Sequence, residues 1–291
     1  MDLRAIFMGL AFALMWSSAF TSARIIVADA PPLFSLALRF LISGLLGVVI
    51  ARALGQNWRL THNQWRAVII FGVCQNALYL GLNFVAMQWI EAGLASIIAS
   101  TMPLMVALAG WILMGDRMRP LAMVGLLAGI IGVALIMGSR LSGGVDVTGV
   151  VLCFIAAAAL TAATLAVRTA SSGGNLMMIV GLQMFVGSAV LAIAALFFED
   201  PSFEPSLRLG LAFTYTVLVP GVLATWVWFA LVGRIGAVKA ATFHFLNPFF
   251  GVAIAWLLLG EALTAADFFG VAIITFGILA VQLSKQNPAQ A

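Results

Sequence analysis

His244 and Asn247 stand three residues apart, and Pro248 follows at once, inside an otherwise apolar stretch. At helical spacing the two side chains share a face. An imidazole and an amide together can donate and accept hydrogen bonds to a small polar solute, and the imidazole can also titrate. A neutral imidazole bonded between helices is the plain alternative. Asn76, Tyr79 and Asn83 follow an i, i+3, i+7 pattern, with Gln75 at the edge. That face either lines a cavity or binds another helix. Trp16, Ser17 and Phe20, then Trp226 and Trp228, add aromatic faces that attract a ligand ammonium or simply pack. Phe243 and Phe245 flank His244. Gln183, Thr161 and Thr164 are weaker candidates, because Thr hydroxyls often bond their own helix backbone.

This inventory suits reversible recognition better than bond-making. Asp and Glu stay at the ends of apolar stretches, His62 falls in a loop, and Cys74 and Cys153 sit singly among apolar residues. No intramembrane Ser–His pair, aspartate pair or metal cluster is spelled out, and no phosphate-loop pattern occurs. We expect no enzyme, no cofactor, no metal and no ATP. A channel would want a ring of charge or filter carbonyls, which a single chain of this length does not offer.

The elements that must hold these residues are membrane helices. The chain is 64% hydrophobic and 8% charged over 291 residues, with mean hydropathy +1.15. Soluble domains carry about 25% charged residues. Ten apolar stretches are long enough to cross a bilayer: 4–27, 33–53, 64–87, 92–114, 120–138, 147–168, 176–197, 207–231, 237–259 and 265–284. A β-barrel would show short alternating segments instead. The first stretch is too long for a signal-peptide core and is expected to stay as a span. The basic pI, about 9.7, reflects loops; no basic–aromatic patch suggests nucleic acid.

The chain also matches itself. Ala92 to Ile136 lies on Ala237 to Val281 without a gap, at a shift of 145. Pro103 falls on Pro248, Trp111 on Trp256, Gly115 on Gly260, Gly125 on Gly270 and Gly132 on Gly277; Asp116 meets Glu261. Gly115 and Gly260 read as helix C-caps, and Asp116 and Glu261 as acids near the start of the following helix. Gly125, Gly129 and Gly132 allow two helices to approach closely. Pro103 and Pro248 are expected to kink their spans and to gate or border a central cavity, or only to improve packing.

Two units follow, 1–140 and 147–284, joined by a Gly- and Ser-containing seam. Arg4, Arg52, Arg59, Arg66, Arg117, Arg119, Arg168, Arg234, Lys239 and Lys285 collect on one side of the ten spans, the cytoplasmic side by the positive-inside rule. Arg140 and Arg208 fall on the other, with Arg24 and Arg39 near helix ends. Both termini are then cytoplasmic. Five spans per unit is odd, so the units must run oppositely through the bilayer, as two inverted five-helix repeats of an all-α polytopic fold.

The repeated pattern of an Ala-rich start, a mid-helix Pro, Gly-Asp or Gly-Glu, then paired glycines resembles the EamA family of the drug/metabolite transporter superfamily. Within it the chain is most similar to YddG-type amino-acid exporters. The resemblance implies ten helices in two inverted repeats and export of aromatic and other neutral amino acids, or similar metabolites, across the inner (plasma) membrane. It implies alternating access about a central site. With no mid-span carboxylate, downhill facilitated flux is expected. The site would hold Trp16, Ser17, Asn76, Tyr79, Asn83, Trp228, His244 and Asn247, with the mismatch of Ala99 against His244 and Met102 against Asn247 marking where symmetry breaks. The alternative is a multidrug or metabolite exporter, with or without proton coupling, for which 13 Met and 21 Phe are suited. The partners are a small solute and lipid; oligomeric state is not set, and a monomer is compatible with the sequence.

Overall fold

The computed structural model describes residues 2–167, 173–200 and 202–284. Among these, ten helices are long and apolar enough to cross a membrane: α1 Leu3–Asp29, α2 Pro32–Ala53, α3 His62–Ala86, α4 Ala92–Met114, α5 Pro120–Ser142, α6 Val147–Ala166, α7 Leu176–Phe198, α8 Leu207–Ile235, α9 Val238–Leu259 and α10 Ala265–Ser284. No strand occurs among the described residues. Arg168 and Lys285, both counted in the charge asymmetry, lie outside them.

Local chemistry starts and stops the helices. Asp2 accepts from the Ala5 N–H at 3.0 Å, Asp146 from Gly149 at 3.0 Å and Ser206 from Leu209 at 3.0 Å. Thr61 and Gln64 form a capping box at the head of α3. Gly115 and Gly260 end α4 and α9 with φ of +69° each, the left-handed conformation expected of them. Arg234 at the end of α8 pairs with Asp2 and holds its carboxyl down at about 2. That tie therefore persists as pH falls until about 2, and only then is lost.

Some spans are not single α-helices. α4 is α-helical over Ala92–Ser100 and again over Met102–Met114. α9 passes through a 3₁₀ turn, Thr242–Leu246, before Asn247–Leu259. Pro103 and Pro248 thus sit in the first turn of a new segment instead of kinking a continuous helix. That position removes no bond the helix could have made. α3 and α8 each contain a π-helical stretch, Gly72–Tyr79 and Val217–Leu223, and the shift of 145 carries the start of one onto the other. Pro220 lies inside the second.

Two helix pairs form the spine. In α5 and α10 a Cβ on Gly125 would come 2.6 Å from the Gly277 carbonyl, and one on Gly132 would come 2.9 Å from the Gly270 carbonyl. Numbers rise along one helix as they fall along the other, so the pair is antiparallel. In α2 and α7, Ser188 donates to Ala37 O at 2.8 Å, and a Cβ on Gly44 would come 3.1 Å from the Gly181 carbonyl. That pair is antiparallel too. Trp111 and Trp256 are half exposed on the outside of the bundle.

Candidate functional site

Phe12, Trp16, Trp228 and His244 form one aromatic box. Phe12 lies 5.7 Å from Trp16, 4.8 Å from Trp228 and 5.3 Å from His244, centroid to centroid. Trp228 meets His244 edge-on at 5.1 Å and 82°. The walls come from α1, α8 and the 3₁₀ turn of α9, so both halves of the chain contribute. His244 Nδ1 lies 3.0 Å from Ala241 O. A carbonyl only accepts, so this contact puts the ring proton on Nδ1 and leaves Nε2 as an acceptor. The bond is made within α9, not between helices.

Asn247 begins the next segment of α9. Ser17 donates to its backbone carbonyl at 3.3 Å, while its buried side-chain Oδ1 has no partner. Buried polar atoms are nearly always satisfied, so this oxygen is an unfilled acceptor beside the box. Ser96 of α4 leaves its Oγ equally unpartnered where it presses against Gly251 of α9. Phe243 packs on Gly9 in a neighbouring cluster, Phe245 packs on the main core, and Trp226 points outward, 61% exposed.

The polar set on α3 lies elsewhere. Asn76 donates to the Gln183 carbonyl of α7 at 3.0 Å and lies against Gly187. Asn83 donates to Tyr79 O, one turn back, at 2.7 Å. All three residues are buried, and the segments that carry them pack on α6 and α7. Asn76 binds another helix, the second of the two roles open to that face. Asn76 and Tyr79 stand in the π-helical stretch, whose wider turn breaks the i, i+3, i+7 alignment. Thr161 and Thr164 bond their own helix, to Ala157 and Leu160.

Two clefts open at the ends of the bundle. One, about 670 Å³, is lined by Asp29, Gln88, Trp89, Glu199, Asp200 and Glu204 among others. The other, about 500 Å³, is lined by Trp111, Asp116, Arg117, Arg119, Thr164 and Ser284 among others. Neither reaches the aromatic box.

Side-chain oxygens from one half cap helices of the other. Glu199, after α7, accepts from Leu33 and Phe34 at 2.7 and 2.9 Å, at the head of α2. Gln56, after α2, accepts from Met178 at 3.0 Å, near the head of α7. Glu261 accepts from Ala92 and Gly93 at 2.7 and 2.8 Å. It caps α4, not the following helix α10, because two free N–H groups converge there. Burial raises the Glu261 carboxyl above its ordinary range, and the Gly93 and Ala92 N–H bonds oppose the rise. Glu261→Ala is expected to cost about 0.5–2 kcal/mol, the usual worth of a cap, read as a lowered thermal midpoint; an unchanged midpoint would count against the cap.

The head of α10 carries an ion network. Arg140 donates to Asp267 from Nε at 3.1 Å and Nη2 at 2.9 Å, and from Nη1 to Glu91 at 2.6 Å. At the shift of 145, Asp267 corresponds to Ala122 and Glu91 to Gly236, so those positions carry no such charges. Among the described residues no group of three or more His, Cys, Asp or Glu could hold a metal ion.

Sequence reasoning missed Phe12, which stands four residues before Trp16 and so shares its face. It missed the two π-helical stretches, signalled only by Pro220, and the Arg140 network. It also placed Arg39 near a helix end, whereas the side chain is buried within α2.

The profile of the EamA-like transporter family matches residues 3–138 and again 147–283. The chain is 29% identical over 283 residues to the uncharacterized transporter YvbV of Bacillus subtilis, covering 96% of this chain and 92% of that one. It is 28% identical over 287 residues to the uncharacterized inner membrane transporter YedA of Escherichia coli, covering 95% and 90%. A solved crystal structure shares the fold, with TM-score 0.68, 21% identity, and coverage of 99% of this chain and all of that one.

Proposed function

The chain belongs to the EamA-like transporter family, and from that premise we propose that it carries neutral amino acids, aromatic ones above all, and similar small metabolites out of the cell by alternating access. The aromatic box with its unfilled Asn247 acceptor is the observation that carries this reading. An ammonium group seats on the Trp16 or Trp228 face, donating to His244 Nε2 or Asn247 Oδ1, while an apolar side chain lies against Phe12. Asn76, Tyr79 and Asn83 support the α3–α6–α7 packing around that site.

The scaffold for the movement is an inverted pair of five-helix repeats, with both termini cytoplasmic. Its support is the exchange of partners across α5 and α10: Gly125 meets the mate of Gly132, and Gly132 meets the mate of Gly125. A two-fold axis between the halves generates that exchange. Flux is downhill, because no carboxylate stands mid-span and His244 alone could relay a proton there.

Counterflow in proteoliposomes tests the reading. Unlabelled neutral amino acids should drive exchange of labelled phenylalanine. Trp228→Leu should weaken apparent affinity about 2- to 30-fold, the range of a cation–π contact worth ~0.5–2 kcal/mol. Competition by bulky hydrophobic cations, with amino acids inert, would put the multidrug alternative in its place. Uphill uptake under an imposed pH gradient, lost in His244→Ala, would replace facilitated flux by proton coupling.

A further inference from the structure

Among the described residues, Arg39 is a cation buried in the bundle without a counter-ion. It lies seven residues after Pro32, about 10 Å along α2 at 1.5 Å per residue, and is only 6% exposed. A guanidinium stays charged in any protein setting. Its Nε has no hydrogen-bond partner, and among the described residues no carboxylate forms an ion pair with it. Its guanidinium carbon lies 5.1 Å from the centre of the neighbouring Phe40 ring. Ionisable residues inside a membrane bundle are costly and normally paired. One kept without a partner points to a partner that comes and goes.

The surroundings suit an anion. Ser43 stands one turn further on the same face of α2; it is buried, and its Oγ is unpartnered. That oxygen faces Gly221 in the π-helical stretch of α8, where a Cβ would come within 3.1 Å of it. Of the hydroxyls on α1 and α8, Ser18 is bonded to Tyr215 and Thr216 to Ser22, each at 2.7 Å, while the buried Thr21 hydroxyl, like that of Ser43, has no partner. The seam therefore holds a planar fork of N–H donors and a spare O–H donor, without a competing carboxylate. That set matches a carboxylate, which accepts two parallel bonds from a guanidinium.

The position is distinct from the aromatic box. Arg234 pairs with Asp2, which puts the head of α9 at the end where α1 starts. Ser206 donates to Asp29, and α2 begins just after it, at the opposite end. His244 is counted in from the first end and Arg39 from the second, so the two lie at different depths.

We propose that Arg39, with Ser43, is a carboxylate-binding station on the solute's path, separate from the aromatic box. This rests on the transport reading above and adds that the solute must carry an acid group. In binding, the guanidinium N–H groups and the Ser43 hydroxyl donate to the solute carboxylate.

The test uses the full chain in nanodiscs and three probes: phenylalanine, 3-phenylpropionate, which lacks the ammonium, and phenethylamine, which lacks the carboxylate. Without ligand, Arg39→Met should raise the thermal midpoint, roughly 2–4 °C for a modest gain in stability, because an unpaired buried charge is removed. A lowered midpoint would mean that Arg39 is structurally paired, overturning the proposal. 3-Phenylpropionate should stabilise the wild type, Arg39→Lys less, and Arg39→Met at least tenfold more weakly. Phenethylamine should bind wild type and Arg39→Met alike. Equal 3-phenylpropionate binding in wild type and Arg39→Met, or none in the wild type, would overturn the proposal. Arg39-dependent 3-phenylpropionate binding without any amino-acid counterflow would sink the amino-acid reading and leave the carboxylate station standing.

Discussion

Asp267→Ala should destabilise the folded protein by roughly 3–5 kcal/mol, the cost of breaking a buried ion pair from one side. The Asp267 side chain is fully buried and meets Arg140 through two bonds. It also accepts from the Thr264 N–H at 2.9 Å and hydroxyl at 2.8 Å. Removing it strands the Arg140 guanidinium, which is 16% exposed, with Glu91 alone. Glu91 is 37% exposed, so Glu91→Gln should cost no more than about 1 kcal/mol, as rim pairs do. Thermal unfolding of both variants in one detergent decides the matter: equal losses would mean that the network acts as a surface pair. The double replacement Arg140→Met with Asp267→Leu should recover much of the loss, since apolar side chains of similar volume can stand in for a buried pair.

Gly277→Val should be disruptive on a similar scale. A Cβ there would meet the Gly125 carbonyl at 2.6 Å and the Gly129 nitrogen at 2.8 Å, both backbone atoms that cannot swing aside. The α5–α10 crossing would have to open along its length. Overpacking commonly costs about 1–3 kcal/mol and sometimes more; with backbone on the far side, about 3 kcal/mol or failure to fold is expected. Gly138 is the control. It lies in α5 with open space around it, so Gly138→Ala should be neutral or stabilising by up to about 1 kcal/mol. Folded yield by size-exclusion chromatography reads both; a well-folded Gly277→Val protein would mean that α5 and α10 do not depend on close approach.

What the sequence made legible was whatever a single helix or a fixed turn decides. Apolar length gave the ten spans, whose bounds differ from expectation by up to four residues, most at the ends of α5 and α8. Gly115 and Gly260 could be read as caps because the left-handed turn is a local demand. The internal match gave the glycine seam of α5 and α10, since small residues at regular spacing serve one purpose in a membrane bundle. Contacts between distant elements were another matter. Nothing near Glu261 in the chain says that its carboxylate will reach Ala92. The Asn76 face assumed an unbroken α-helix, and the π-helical stretch removed that assumption. Of the candidate residues, Trp16, Trp228 and His244 come together in space, while Phe12 at their centre was passed over as one more apolar residue.

The crosswise caps have a meaning for synthesis. Glu199 is translated 166 residues after Leu33, and Glu261 169 residues after Ala92. At roughly 5–20 residues per second, the heads of α2 and α4 therefore wait about 8–34 s for their carboxylates. Through that interval the first half has entered the membrane with N–H groups that only water or lipid can satisfy. Slowing translation between α4 and α9 lengthens that wait.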